Sequence, residues 1–133
     1  MTAERSATVA VRDRAVIEAS VSGATLTVSA EGDLDLAERA RFPELTARAS
    51  KADVEEVVVD LCSVAFVDSA GAAFLIVLAE TAKRAGARAV LRGADERVSF
   101  VLELCGALDA YDVDVAHRCA PSAGPGPWRS PSA

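Results

Sequence analysis

The residues best placed to do chemistry in this chain are Asp68 and Ser69, within the run SVAFVDSAGAAFLIVLAE from Ser63 to Glu80. An apolar segment leads into the pair and a second apolar run leaves it. Two roles suit them. In one, the side-chain oxygens only start a helix, by accepting bonds from the first free backbone N–H groups. In the other, Ser69 accepts a phosphoryl group. A serine at a helix start lies near positive backbone dipoles that tolerate added negative charge. Phosphorylation adds about −1.5 to −2 charges and three acceptor oxygens. A docked partner would meet that charge while the fold stayed intact.

Other chemistries are weaker. A nucleophilic serine needs a base, and the only histidine, His117, lies outside the regular elements. The G-x-S-x-G elbow is absent, since Val67 stands where its first glycine belongs. No G-x-x-x-x-G-K-[ST] loop cradles a phosphate. The carboxylate pairs Asp33/Asp35 and Glu55/Glu56 read as solvated surface rather than as acid/base catalysts. The three cysteines are widely spaced, with no C-x-x-C. Cys62 ends an apolar strand and Cys105 falls on the apolar face of a helix, so both are expected as buried structural thiols. Cys119 and His117 together offer two metal ligands, short of the four that structural zinc takes. No metal site and no cofactor are expected.

The elements that must position Asp68 and Ser69 follow from pattern. A chain of 133 residues fits one domain. Half of it is apolar but only 5% is aromatic, which predicts an aliphatic core. Ile17, Ala19 and Val21, then Leu26, Val28 and Ala30, alternate around Ser22-Gly23, a hairpin signal. Gly32 is expected to break the second strand. Pro43 forbids a continuous helix, so a short turn over 36–41 should precede a helix that Pro43 opens, with Leu45 and Ala49 facing inward. Val57, Val58, Val59 and Leu61 read as a strand covered on both faces. Leu75, Leu78, Ala79 and Ala82 repeat at helical spacing, so a helix runs from about Ser69 to Ala85. Residues 87–93 form a strand. Asp95 caps a further helix whose face is Val98, Val101, Leu102 and Cys105, ended by Gly106. A last strand lies in LDAYDVDVA. Strands alternating with helices imply an α/β fold, a mostly parallel sheet with an N-terminal antiparallel hairpin and helices packed on the sheet. Loops at the carboxyl ends of such strands, where Asp68 and Ser69 fall, are where open α/β sheets place ligands.

The division expected is an arm over 1–13, a domain over 14–116 and a Pro/Gly/Ser-rich disordered tail over 117–133. Trp128 in that tail is either a docking residue or part of an untethered terminus. The net charge of −6 argues against general nucleic-acid binding. The chain has no run of 18 apolar residues and no apolar middle of a secretory signal near its start, so a cytoplasmic protein is expected.

Taken in order, these segments resemble the STAS domain of bacterial anti-sigma factor antagonists. The most specific part is Asp68-Ser69-Ala70-Gly71 between a strand and a helix. Gly32-Asp33-Leu34-Asp35 and the later LELCGALDAYDV resemble two further family blocks. The resemblance spans about Arg14 to Val115. It implies a non-enzymatic protein that, unphosphorylated, binds an anti-sigma factor which is also a serine kinase of the histidine-kinase-like ATPase type. Binding releases the sigma factor. The kinase phosphorylates Ser69 and a phosphatase reverses it. By the same match Asp68 orients the serine, Gly71 allows close approach of the partner, and Asp33 and Asp35 line an adjoining acidic face. ATP belongs to the partner. The chain departs from the family in having Ala70 where many members carry a second serine. It also has Ala72-Ala73-Phe74 in place of a glycine-containing helix start; Phe74 either alters which kinase fits or packs inward.

Two other functions share the sequence. A STAS-like accessory subunit of a membrane phospholipid transport complex would dock on its ATPase, with Ser69 a packed contact. A small hydrolase or phosphocarrier would use Ser69 itself, but lacks both base and phosphate loop.

Overall fold

The computed structural model describes residues 16–120. The arm over 1–13 and most of the Pro-rich segment, with Trp128, lie outside them. The hairpin forms as its pattern demands. Strand β1 (Val16–Ser22) pairs antiparallel with β2 (Thr25–Leu34) through a two-residue turn, with Gly23 at φ +61°. A 3-10 turn (Leu36–Arg41) leads into helix α1 (Phe42–Lys51), which has Pro43 in its first turn. Pro43 sits where its missing N–H would have had no partner anyway. Then follow β3 (Glu56–Val67), α2 (Ser69–Arg84), β4 (Arg88–Arg92), α3 (Glu96–Leu104) and the short β5 (Asp112–Asp114).

The five strands lie in chain order, β1-β2-β3-β4-β5, with all pairs after the first parallel. This order decides where the core sits. Parallel crossovers are right-handed, and here each steps one strand in the same direction. Every crossover helix must therefore fall on the same face. The core accordingly takes Leu26 and Val28 from β2, Val57, Val59 and Leu61 from β3, and Ala89 and Leu91 from β4. Against them pack Leu45 and Ala49 of α1, Leu75, Leu78, Ala79 and Ala82 of α2, and Val98 and Leu102 of α3. The helical spacings in the sequence named these positions.

The three consecutive valines of β3, Val57, Val58 and Val59, are buried on both faces, as expected, but the two faces are covered differently. The second face of β3 carries Glu56, Val58 and Asp60 by alternation. Val58 and Val90 are register partners there. They are flanked by the ion pairs of Arg88 with Glu56 and Asp112, and of Arg92 with Asp60. Arginine stems can cover apolar surface while their heads stay wet, and the helices among the described residues pack on the other face.

A correction concerns Gly32, which does not end β2. The strand runs on to Leu34, and the irregularity is taken up by bulges. From Ser29 to Glu31 β2 advances two residues while β3 advances three, from Asp60 to Ser63; between Gly32 and Asp33 β2 advances one while β3 advances two, from Val64 to Phe66. Each extra residue on β3 shifts its alternation by one. The core positions of β3 are therefore 57, 59, 61, 64 and 67 rather than a strict every-other series. Gly32, at φ +93°, supplies a conformation other residues avoid.

The cysteine expectations are also corrected. Cys62 lies in the first bulge, is only half-buried, and is joined to Cys119 in a disulfide with Cα atoms 5.5 Å apart. The backbone N–H of Cys62 donates to Asp60 Oδ1 at 2.9 Å. Cys105 is exposed. It follows the last residue of α3 as its C-cap, where the helix has run past the packed face; its neighbour Leu104 is exposed as well.

Candidate functional site

The site is built at the carboxyl ends of β2 and β3. The second bulge brings Val67 inward, 1% exposed, and leaves Asp68 at the first helical N–H groups. Asp68 is the N-cap of α2. Its backbone is extended (φ −107°, ψ −173°) and its Oδ1 accepts from the N–H of Gly71 at 2.9 Å. Its backbone N–H donates to the Leu34 carbonyl at 3.4 Å, which ties the corner to β2. Ser69 is therefore not the cap. It is the first residue of the helix proper, and it is exposed. Of the roles weighed from the sequence, starting the helix falls to Asp68, and Ser69 stands in solvent at the positive end of the helix.

Gly71 is buried. A Cβ there would collide with the Leu34 carbonyl oxygen and lie 2.9 Å from the carbonyl carbon. The close approach that Gly71 permits is thus that of α2 to β2 within this chain. Asp33 is exposed and Asp35 half-buried on either side of buried Leu34. Asp33 is in register with Phe66 and Leu34 with Val67, two residues before Ser69. The structure brings Asp33, Asp35, Asp68 and Ser69 to one corner, with Ala70 half-buried beside them.

Phe74 packs inward. It is 4% exposed and stacks on Phe42 with ring centroids 4.2 Å apart. From Ala70 an apolar trough of about 750 Å3 runs between α1 and α2, floored by Phe42, Phe74 and Val77, with Arg39 and Arg84 on its rim. On the other flank Phe66 and Phe100 stand half or more exposed and line a smaller hollow with Val101 and Arg97. These apolar flanks were not singled out from the sequence. Phe100 lies off the Val98–Leu102 face of its helix, which is the signal that places it outward. Farther inside, Tyr111 anchors α2: its hydroxyl donates to the Leu75 carbonyl at 2.6 Å, and burial pushes its phenol well above the usual range.

Away from this corner, Cys62, His117 and Cys119 come together, with one potential ligand atom from each and all three within 4.8 Å of one another. The sequence set His117 and Cys119 apart from Cys62 because nothing local links them. Among the described residues no helix is long and apolar enough to cross a membrane.

The sequence profile of the family described as Mlab, STAS domain, matches residues 17–115. No curated protein matches the chain. Among solved structures, a serine-to-glutamate form of RsbS from Moorella thermoacetica is 21% identical, covers 74% of this chain and 86% of its own, and superposes with a TM-score of 0.64. An anti-sigma factor antagonist from Mycobacterium paratuberculosis is 23% identical, with 77% and 86% covered and a TM-score of 0.60. A mouse anion transporter of the Solute Carrier 26 family is 19% identical, with 71% of this chain but 16% of the transporter covered and a TM-score of 0.59. At these identities the likeness is one of fold.

Proposed function

The chain belongs to the STAS domain family, and from that membership we propose that it is an anti-sigma factor antagonist switched at Ser69. Unphosphorylated, it docks the corner of Asp33, Asp35, Asp68, Ser69 and Ala70 on an anti-sigma factor that is a serine kinase of the histidine-kinase-like ATPase type. Docking frees the sigma factor. The kinase moves a phosphoryl group from its own ATP to Ser69 Oγ, and a phosphatase removes it by hydrolysis. Gly71 serves this surface from beneath, by seating the helix.

The observation that carries the reading is the division of labour at the helix start. Ser69 is exposed and the cap is supplied by Asp68, so Ser69 can be modified without unmaking the helix. Its place at the helix N-terminus favours the added charge. A docked partner gains nothing comparable: it meets a phosphate beside three carboxylates. Moving a binding equilibrium from 1:99 to 99:1 takes about 5.5 kcal/mol of differential affinity. Repulsion and desolvation of a dianion in an interface act in that direction.

The test is affinity capture from the native lysate with the unaltered protein, Ser69→Ala and Ser69→Asp as baits. The reading expects a kinase-like ATPase on the first two and its loss from the third. Capture of the same partner by all three would end it.

A second reading is favoured by the description of the matching family as Mlab. The chain would then be an accessory subunit of a phospholipid transport complex, with the same corner packed on the complex's ATPase and Ser69 unmodified. The same baits separate the two: a transporter ATPase in place of a kinase supports the second.

A further inference from the structure

The strongest chemistry outside the Ser69 corner is the trio Cys62, His117 and Cys119. A disulfide alone has no use for an imidazole. Here one histidine atom lies within 4.8 Å of both sulfurs, delivered by the spacing H-x-C after β5. The place is shaped for the cysteine. Gly93, just past β4 at φ +83°, touches Cys62 so closely that a Cβ would lie 2.5 Å from its Sγ and 2.8 Å from its backbone nitrogen. The first β3 bulge re-aims Cys62 toward this point, and Asp60 satisfies its N–H. Cys119 Sγ lies 3.8 Å from the Gly93 carbonyl oxygen. A cavity of about 500 Å3 opens beside the trio, lined also by Asp95, Ser99 and Asp114.

Two thiolates and one imidazole form the donor set of a borderline-soft cation, with the fourth tetrahedral position left for water or another ligand. Zinc–sulfur bonds of about 2.3 Å at a tetrahedral angle hold two sulfurs roughly 3.8 Å apart. With the Cα atoms 5.5 Å apart, side-chain rotation alone opens the sulfurs to that distance once the bond between them is broken. The cavity gives the fourth position room.

We propose that Cys62, His117 and Cys119 are a two-state site: closed as a disulfide, and open after reduction as a Cys2His site for one zinc ion. Reduction is thiol–disulfide exchange. Two equivalents of a small thiol become its disulfide, and the Cys62–Cys119 bond becomes two thiols. Zinc then displaces the two thiol protons, and neutral His117 supplies the third ligand. In both states the chain after β5 stays pinned to the middle of β3, beside the end of β4.

The test uses the full chain, reduced and handled without oxygen, titrated with cobalt(II) as a spectroscopic stand-in and then with zinc. The expected result is one cobalt per chain with a sulfur-to-metal charge-transfer band, displaced by one zinc. The oxidised protein takes up none. Cys62→Ser and Cys119→Ser abolish the band. His117→Ala weakens binding by more than the roughly 10- to 100-fold that an outer-shell loss costs. Cys105→Ser changes nothing. Circular dichroism checks each variant's fold; if Cys62→Ser does not fold, Cys119→Ser, altered at an exposed position, decides. Absence of the charge-transfer band in the reduced protein, its survival in Cys119→Ser, or its loss in Cys105→Ser overturns the proposal.

Discussion

The Asp68–Ser69 corner and the Cys62–His117–Cys119 cluster are both built at the carboxyl end of the sheet, each next to a β3 bulge. They differ in how far along the chain their parts lie. At the first, cap, helix start and glycine are four consecutive residues, and their roles follow from hydrogen bonds a few atoms long. At the second, the two cysteines are 57 residues apart, and only the completed sheet brings them together. The cap itself is local, although the corner around it also leans on Leu34 and the end of β2. The distant site reports whether the whole sheet is in place.

The largest expected effect falls on the distant site. In a chain-entropy account a crosslink closing that many residues stabilises by about 4 kcal/mol. Cys119→Ser, compared with the oxidised protein by urea unfolding, should lose up to that amount. A loss near zero would mean that the crosslink does not constrain the unfolded chain. Next is Gly71→Ala. The added methyl has no room against the Leu34 carbonyl and should cost about 1–3 kcal/mol, read as a lower unfolding midpoint. An unchanged midpoint would show that the corner yields more readily than its packing implies. Asp68→Ala should cost about 1 kcal/mol through the lost cap, and Asp68→Asn should restore most of it. Ser69→Ala should change stability by less than about 0.5 kcal/mol while removing the phosphorylation seen by mass spectrometry after incubation with the captured kinase. A phosphate that persists in Ser69→Ala would move the modification elsewhere. Cys105→Ser should be the quietest, again within about 0.5 kcal/mol, because the thiol is exposed beyond its helix.

The same contrast explains what the sequence made legible. The α2 face was readable because Leu75, Leu78, Ala79 and Ala82 obey one period. Pro43 and Asp95 act on backbone groups within a turn of themselves, so their positions could be assigned. The four residues that resemble the family motif were recognisable for the same reason. Gly32 was misread because a glycine that ends a strand and one that bulges it look alike until the partner strand is known. Val58 was legible as buried, but three consecutive valines do not say what covers the middle one; the crossovers put the helices on the other side, and arginines stand around it. Cys105 kept the spacing of its helix but came after the helix had passed its support. Cys62 and Cys119 carried no local signal of each other.

The chain-order sheet has a practical consequence for anyone who must hold this protein by a handle. Strands β2 to β5 all point their carboxyl ends the same way, and antiparallel β1 begins at that end, with Val16 opposite Glu31. The described chain therefore begins on the side where Ser69 stands, at the β1 edge, while its last residues fold back from β5 to β3, where Cys119 is joined to Cys62. The only two lysines, Lys51 and Lys83, lie in the last turns of α1 and α2, at the far end. Coupling through their amines would turn the Ser69 corner outward, toward whatever is offered to it.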